Sequence, residues 1–166
     1  MSTSNQSQPP TDPLAHQARS DFLGVFALVE RAAGILMVQN ERIIAGRSML
    51  TWDLPGGGVE AKELLSEALA RELLEETNLV IKVAPELLFL QDGSRIFRGR
   101  RSHVWRSFFF RAEAVGEAKA GAEILAVRWI PRNELQAVLT APYHKSFAYW
   151  LKHGGNYFAA DWCDDN

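Results

Sequence analysis

Hydrophobic and polar positions along this chain alternate between two periods. Residues 26–38 and 41–46 are apolar runs rich in β-branched and aromatic side chains, and read as strands joined by a hairpin turn at Gln39 and Asn40. Residues 80–83 and 87–90 read as short strands around Pro85. The strongest strand signal is 104–114, with Trp105 and the run Phe108, Phe109, Phe110; 124–130 is another. Between them the period lengthens. Residues 63–77 contain no Gly or Pro and are dense in Leu, Ala, Glu and Arg, all good helix formers. Pro131 opens a short second helix, a position where proline is tolerated, and 142–153 reads as a final amphipathic helix. Strands before, between and after helices predict an α/β layered fold with a mixed β-sheet.

The helix at 63–77 has an unusual face. With successive side chains about 100° apart, Leu64, Leu65, Ala68 and Leu69 share one sector, and Glu72, Glu75 and Glu76 continue it. An ordinary amphipathic helix separates apolar from charged residues. Here the acids follow the leucines toward the body of the protein. Crowded, partly desolvated carboxylates repel one another, and a divalent cation relieves that repulsion. Mg2+ favours a few carboxylates together with waters and phosphate oxygens. The i, i+3 and i, i+4 spacings let all three acids reach one ion or a pair, with Arg71 close enough to orient them. A solvated acidic helix end, paired with Arg71 and Lys62, is the competing reading. The shared face and the segment before the helix outweigh it.

That preceding segment is Trp52-Asp53-Leu54-Pro55-Gly56-Gly57-Gly58-Val59-Glu60. Consecutive glycines let bare backbone approach a ligand, so the expectation is a loop. No Gly-Lys-Ser/Thr follows, which excludes a P-loop.

Gly57, Glu63, Arg71, Glu72, Glu75 and Glu76 fit G-x5-E-x7-R-E-(apolar)-x-E-E. At average residue abundances this arises by chance about once in 10^5 chains of this length, and about tenfold more often in Glu-rich helices. The run resembles the Nudix box of the Nudix hydrolases, G-x5-E-x7-R-E-U-x-E-E-x-G-U, with Leu73 and Leu79 at the apolar U positions. Asn78 stands where the family has Gly. Asn is the next best residue for a left-handed helix end, so the departure is mild. The box covers residues 57–79, and weaker likeness extends over about 25–140.

The resemblance implies a Nudix-type α/β/α sandwich and metal-dependent hydrolysis of a phosphoanhydride in a nucleoside diphosphate linked to another group. Glu72, Glu75 and Glu76 would bind Mg2+ or Mn2+ together with the carbonyl of Gly57. Arg71 would hold the glutamates and Glu63 would support the loop and helix. The general base varies within the family. Glu72 is one choice and a loop acid another, Glu123 ahead of Glu113 and Glu117. A homodimer is the commoner family arrangement.

Composition narrows the partners. The 166 residues suffice for one domain with a real core, 47% of them hydrophobic. A net charge of −2 gives no global basic field for DNA. A single cysteine, Cys163, excludes an internal disulfide framework and suits a reducing compartment. The run 22–29 is too short to cross a membrane, and 1–20, rich in Ser, Gln, Pro and Thr, has no signal-peptide core. The expectation is therefore a cytoplasmic protein. Residues 1–20 would form a disordered or loosely packed arm, 21–160 the Nudix domain and 161–166 an acidic tail.

Arg95, Arg98, Arg100, Arg101 and His103 concentrate in 91–103, an expected hairpin loop. Guanidinium forks suit phosphate oxygens, which makes Arg98 and Arg101 candidates for substrate contact; Arg47, by family analogy, is another. Trp52 and Trp105 either stack on a base or fill the core. His144 and His153 read as surface residues on the last helix.

The leading function is a nucleotide pyrophosphohydrolase acting on a small nucleotide-derived substrate. A non-catalytic nucleotide-sensing module could lose its glutamates, and this chain keeps all four of the box. Pyrophosphohydrolysis at RNA 5' ends is weakened by the low net charge, although the arginine-rich segment favours it. An isoprenoid diphosphate isomerase would need a catalytic cysteine with no counterpart here.

Overall fold

The structure, a computed structural model, describes residues 21–44, 46–97 and 99–163, the side chains of Phe97 and Cys163 excepted. The arm expected over 1–20 and the end of the expected tail, 164–166, lie outside them. In chain order the elements are β1 (Phe22–Leu28), β2 (Glu30–Arg31), β3 (Gly34–Ile44), β4 (Arg47–Asp53), β5 (Gly56–Gly58), α1 (Leu65–Thr77), β6 (Val80–Ile81) and β7 (Glu86–Phe97). There follow β8 (Arg100–Arg111), β9 (Ala114–Val115), β10 (Ala126–Ile130), α2 (Leu135–Val138), a 3-10 turn (Pro142–His144), α3 (Lys145–His153) and β11 (Tyr157–Cys163).

Five strands form a mixed sheet in the order β11-β7-β8-β1-β5, parallel at β11–β7 and β8–β1 and antiparallel elsewhere. A second, antiparallel sheet runs β10-β3-β2, with β4 also paired to β3. Alternation along the strands feeds two cores. Val25, Ala27, Leu36 and Phe110 pack with Ala68, Leu69 and Leu73 of α1. Leu28, Ile35, Met37, Phe89 and Phe109 pack instead with Leu135, Leu139 and Phe147 around α2 and α3. The sheets are thus covered by helices on two sides, and the α/β fold with a mixed sheet is the one expected. Leu69 and Leu73 are fully buried, each contributing about 1.5–3 kcal/mol to docking α1.

Several local expectations change. Gln39 and Asn40 do not turn; β3 runs through them, with Gln39 paired to both Ala126 and Trp52. Asn40 is tolerated there because its amide donates to the Asp53 carboxylate at 3.1 Å. The reversal comes later, beside Gly46, whose φ of 74° suits glycine. The arginine-rich segment is mostly strand, since β7 and β8 extend to Phe97 and Arg100. The helix after Pro131 shrinks to the single turn of α2. Residues 161–163, expected in the tail, complete β11, which pairs in parallel with β7. The glycine run is a strand as well: β5 pairs with β1 through Gly24–Gly58, Val25–Gly57 and Phe26–Gly56.

Candidate active site

The glycines of β5 are wedged between β1 and the C-terminal half of α1, and each side demands the absence of a side chain. A Cβ on Gly56 would lie 2.1 Å from the carbonyl oxygen of Val25, and one on Gly57 only 2.6 Å from the Glu72 carboxyl carbon. The backbone N–H of Gly56 instead donates to Glu76 Oε2 at 2.8 Å. Pro55 and Val59 fix the run at its two ends, through Ala27 N–H to the Pro55 carbonyl and Val59 N–H to the Leu23 carbonyl.

Arg71 is the hub on the helix. Its guanidinium grips both oxygens of Glu63 at 2.8 and 2.9 Å, donates to Glu72 Oε1 at 2.8 Å and Glu75 Oε2 at 3.3 Å, and reaches the Gly58 carbonyl at 2.9 Å. One side chain therefore ties the helix acids to the glycine strand. Leu64, expected on the buried face, is exposed at the helix start, where its N–H is capped by the Glu67 carboxylate. Asn78 closes the other end in the left-handed conformation, φ 61°, as expected.

The acids differ in environment. Arg71, aided by the Glu60 N–H, holds the Glu63 carboxyl down at about 2. Burial pushes Glu76 up to about 7 against the Gly56 hydrogen bond, and the neighbouring charges of Glu72 and Asp53 add to the rise. Burial also raises Glu72, opposed by Arg71 and reinforced by Glu75 and Glu123. Glu75 is the most open, its side chain 59% exposed. Among the described residues, no three His, Cys, Asp or Glu side chains close around an ion. The donor set nevertheless suits a hard cation: carboxylates at the edge of the body, two of them with raised affinity for positive charge.

Glu123 is brought to this group by the segment before β10. Lys119 N–H and Gly121 N–H donate to the carbonyls of Thr77 and Glu76, satisfying the last turn of α1. Gly121 presses so closely on the helix that a Cβ would meet the Glu75 carbonyl at 1.8 Å. Glu123 itself is exposed, and its charge is felt at Glu72.

A buried polar network adjoins the acids, and the sequence reading misses it. Asp53 Oδ1 accepts from Tyr143 O–H at 2.9 Å and faces His144 Nε2 at 2.7 Å. Its Oδ2 accepts from Thr51 at 3.0 Å, Asn40 at 3.1 Å and Arg42 at 3.4 Å. His144, expected on the surface, is 6% exposed. Its Nδ1 accepts the Ala141 N–H at 3.1 Å. That leaves the proton on Nε2, as a neutral donor to a charged Asp53. Burial works against the Asp53 charge, but the His144 hydrogen bond, Arg42 and Tyr143 hold its carboxyl below the usual range. Burial, then the Asp53 charge, pushes Tyr143 up to about 12.

This network forms one wall of a cavity of about 300 Å3, otherwise lined by aromatic rings including Phe22, Phe26, Trp105 and Trp162. Trp105 and Trp162 meet edge to face at 6.4 Å, and Arg95 lies 4.7 Å over the Trp162 ring. Arg42 lines the cavity, and its charge also bears on Glu76. Cavity and acids are therefore neighbours.

The remaining candidates are dispersed. Arg47 is exposed at the start of β4, the end of the strand away from Asp53. Trp52 is half-buried against the core around α2 and α3. Arg101 is exposed on β8 and lines a shallow polar groove with Asp92 and Asp161. Arg98 lies outside the described residues. Arg42, Asp53, Tyr143 and His144 had no motif to mark them. Only the β3–β4 register and the fold-back of the 3-10 turn bring them together.

The NUDIX domain family matches residues 21–151. The chain belongs to this family. It is similar to an 8-oxo-dGDP phosphatase of Homo sapiens, 33% identical over 124 residues that make up 72% of this chain and 34% of that protein. It is also similar to an ADP-ribose pyrophosphatase of Methanocaldococcus jannaschii, 38% identical over 82 residues, 49% of this chain and 47% of that one. The chain thus spans between a third and a half of the length of these curated relatives. Among solved structures, the MutT protein from Bacillus halodurans superposes with a TM-score of 0.72 at 26% identity, covering 87% of this chain and 92% of its own. Among the described residues, no helix of this Nudix chain is long and apolar enough to cross a membrane.

Proposed function

We propose that this Nudix domain hydrolyses a phosphoanhydride bond in a nucleoside diphosphate linked to a further moiety, using Mg2+ or Mn2+. The observation that carries the reading is the convergence of Glu72 and Glu76, half-buried acids with raised proton affinity, on the bare backbone of β5. Glu72, Glu75, Glu76 and the Gly57 carbonyl would hold the cation. When bound, it polarises phosphoryl oxygens, offsets developing negative charge and lowers the pKa of the attacking water.

The chain's own residues supply the rest. Arg71 fixes the Glu72 carboxylate, and the Gly56 N–H fixes Glu76. Glu123 or Glu72 takes the proton of the attacking water. The aromatic cavity beside the acids receives the substrate's planar group, in keeping with the small, mostly apolar sites that bind ligands elsewhere. The oxidised-nucleotide and ADP-ribose activities named for the relatives fit this class of substrate. Arg47, Trp52, Arg98 and Arg101 are the side chains proposed to meet its phosphates or distal group.

The test is hydrolysis, with Mg2+ present, of nucleoside triphosphates, ADP-ribose, sugar nucleotides, dinucleoside polyphosphates and capped RNA by wild type and Glu76→Gln. The expected result is turnover of at least one class, reduced about 100-fold or more in a folded variant, since a metal ligand supplies several kcal/mol to the transition state. Equal turnover by the two proteins would remove the metal-site assignment.

A further inference from the structure

The cavity that adjoins the acids has aromatic walls, one polar wall made by Asp53, Tyr143 and His144, and a polar floor. β7, β8 and β1 lie side by side beneath it, and the register sets Gln91 opposite Ser107 and Ser107 opposite Gly24. Directly paired residues share a face of the sheet, and both Gln91 and Ser107 line the cavity.

Two glycines shape this floor. A Cβ on Gly93 would lie 2.1 Å from the Trp105 indole, and one on Gly24 would lie 2.4 Å from the Phe22 ring. With no side chain at either position, both rings lie down against the sheet. The floor beside them is formed by Gln91 and Ser107.

These two side chains are 3% and 4% exposed. Groups so deeply placed normally have hydrogen-bond partners, because leaving them without one is costly. Gln91 Nε2 donates to the Tyr143 carbonyl at 3.4 Å. That bond assigns the amide orientation and leaves Oε1 as an acceptor. Among the described residues, Gln91 Oε1 and the Ser107 hydroxyl make no hydrogen bond, and unlike Ser146 Oγ they are not sealed from the open space beside them. An acceptor and a hydroxyl therefore stand side by side on the floor of an aromatic slot.

We infer that Gln91 and Ser107 read the edge of the substrate's nucleobase. Gln91 Oε1 accepts from a ring or exocyclic N–H, and the Ser107 hydroxyl donates to the adjacent carbonyl or ring nitrogen. The ligand class is a nucleotide. Every common base carries a donor next to an acceptor on one edge, but at positions that differ from base to base, so the fixed places of Gln91 and Ser107 decide which one is reached. A sugar fits this cavity poorly, since its hydroxyls point in every direction, most of the walls are aromatic carbon and the polar wall of Asp53, Tyr143 and His144 is already paired within itself. A phosphate fits poorly too, since the cavity's Arg42 is engaged by Asp53. The inference rests on the hydrolase reading for the presence of a nucleotide and adds which groups select it. Selection of this kind is effective because a wrong base leaves buried polar groups unpaired.

The test is a titration of intrinsic tryptophan fluorescence with AMP, GMP, CMP and UMP in Mg2+. These probes contain no phosphoanhydride, so binding is read without turnover, and Trp105 and Trp162 report from the cavity wall. Wild type should prefer one base by about tenfold or more. Ser107→Ala and Gln91→Leu should each weaken that nucleotide about tenfold, one lost hydrogen bond apiece, and change the poorer bases little. Gln91→Leu also removes the bond to Tyr143; if it does not fold, Ser107→Ala, which deletes a single hydroxyl, decides the matter. A wild type that binds all four bases alike, or none, overturns the inference, as does an unchanged preference in Ser107→Ala. The hydrolase reading fails separately. A protein that cleaves no nucleotide yet loses its base preference in Ser107→Ala keeps this inference and loses that one.

Discussion

The carboxylate of Glu72 occupies the space that a side chain on Gly57 would need. A Cβ there would sit 2.6 Å from its carboxyl carbon and 2.6 Å from Oε1. Glycine at this position is thus a requirement of packing against an acid. Gly57→Ala should push Glu72 off Arg71 and out of the proposed metal site. The expected outcome is a folded protein with kcat lowered about 100-fold, the scale at which an active-site displacement of about 1 Å is felt. Steady-state kinetics beside a far-ultraviolet dichroism spectrum checks it, and wild-type turnover in the variant would contradict it.

Arg71 makes five hydrogen bonds with one planar group, and a lysine cannot copy the pattern. A compact ammonium would lose the two-pronged grip on Glu63 or the reach to the Gly58 carbonyl. Arg71→Lys and Glu63→Gln should therefore each weaken Mn2+ binding about 10–100-fold, as residues behind metal ligands do. Calorimetric titration with Mn2+ measures this directly. An Arg71→Lys protein that binds Mn2+ like wild type would show that charge alone suffices.

Without a cation, Glu76 should make the protein less stable as pH rises. Its folded pKa of about 7 exceeds its ordinary value of 4.5. Between those values the folded state holds more protons than the unfolded chain, so stability falls through that window and levels off above it. The raised Glu72 acts in the same direction. For Glu76 the loss is about 3 kcal/mol at most. Melting in EDTA should give a lower Tm at pH 7.5 than at pH 5.5, and Glu76→Gln should flatten the difference. Added Mg2+ should raise Tm more at pH 8 than at pH 6, because binding requires the deprotonated acids. An identical slope in wild type and variant would place the titration elsewhere.

How much of this was readable beforehand depended on sequence distance. Glu63, Arg71, Glu72, Glu75 and Glu76 lie on or just before one helix, where spacing alone fixes who meets whom. The strand core was legible for a similar reason, because alternation assigns each side chain to a face. The failures were contacts over long separations. Gln39 and Asn40 look like a turn until the Asp53 carboxylate, two residues along β4 from Asn40's partner Thr51, is known to accept from the Asn40 amide. His144 looks like a surface residue until the 3-10 turn is seen folded onto β4. The floor pair, Gln91 and Ser107, is set by a register that includes β-bulges. Such contacts leave no local period to read.

The neutral His144 imidazole bridges the Ala141 amide and the Asp53 carboxylate, and both of its nitrogens are committed. Removing it leaves a buried charge short of a donor and an amide without an acceptor. His144→Ala should cost about 3 kcal/mol, the range for breaking a buried charged hydrogen bond. Acid should have a related effect. Asp53 titrates below its ordinary value, so its contribution is complete above the unfolded pKa and fades as pH falls through the folded one. Urea unfolding at pH 7 and about pH 2.5 tests this: the variant's deficit should be largest at pH 7 and should shrink below the ordinary Asp value of 3.8. A deficit under about 0.5 kcal/mol at pH 7, the usual range for a surface substitution, would return His144 to the surface role that its sequence position suggested.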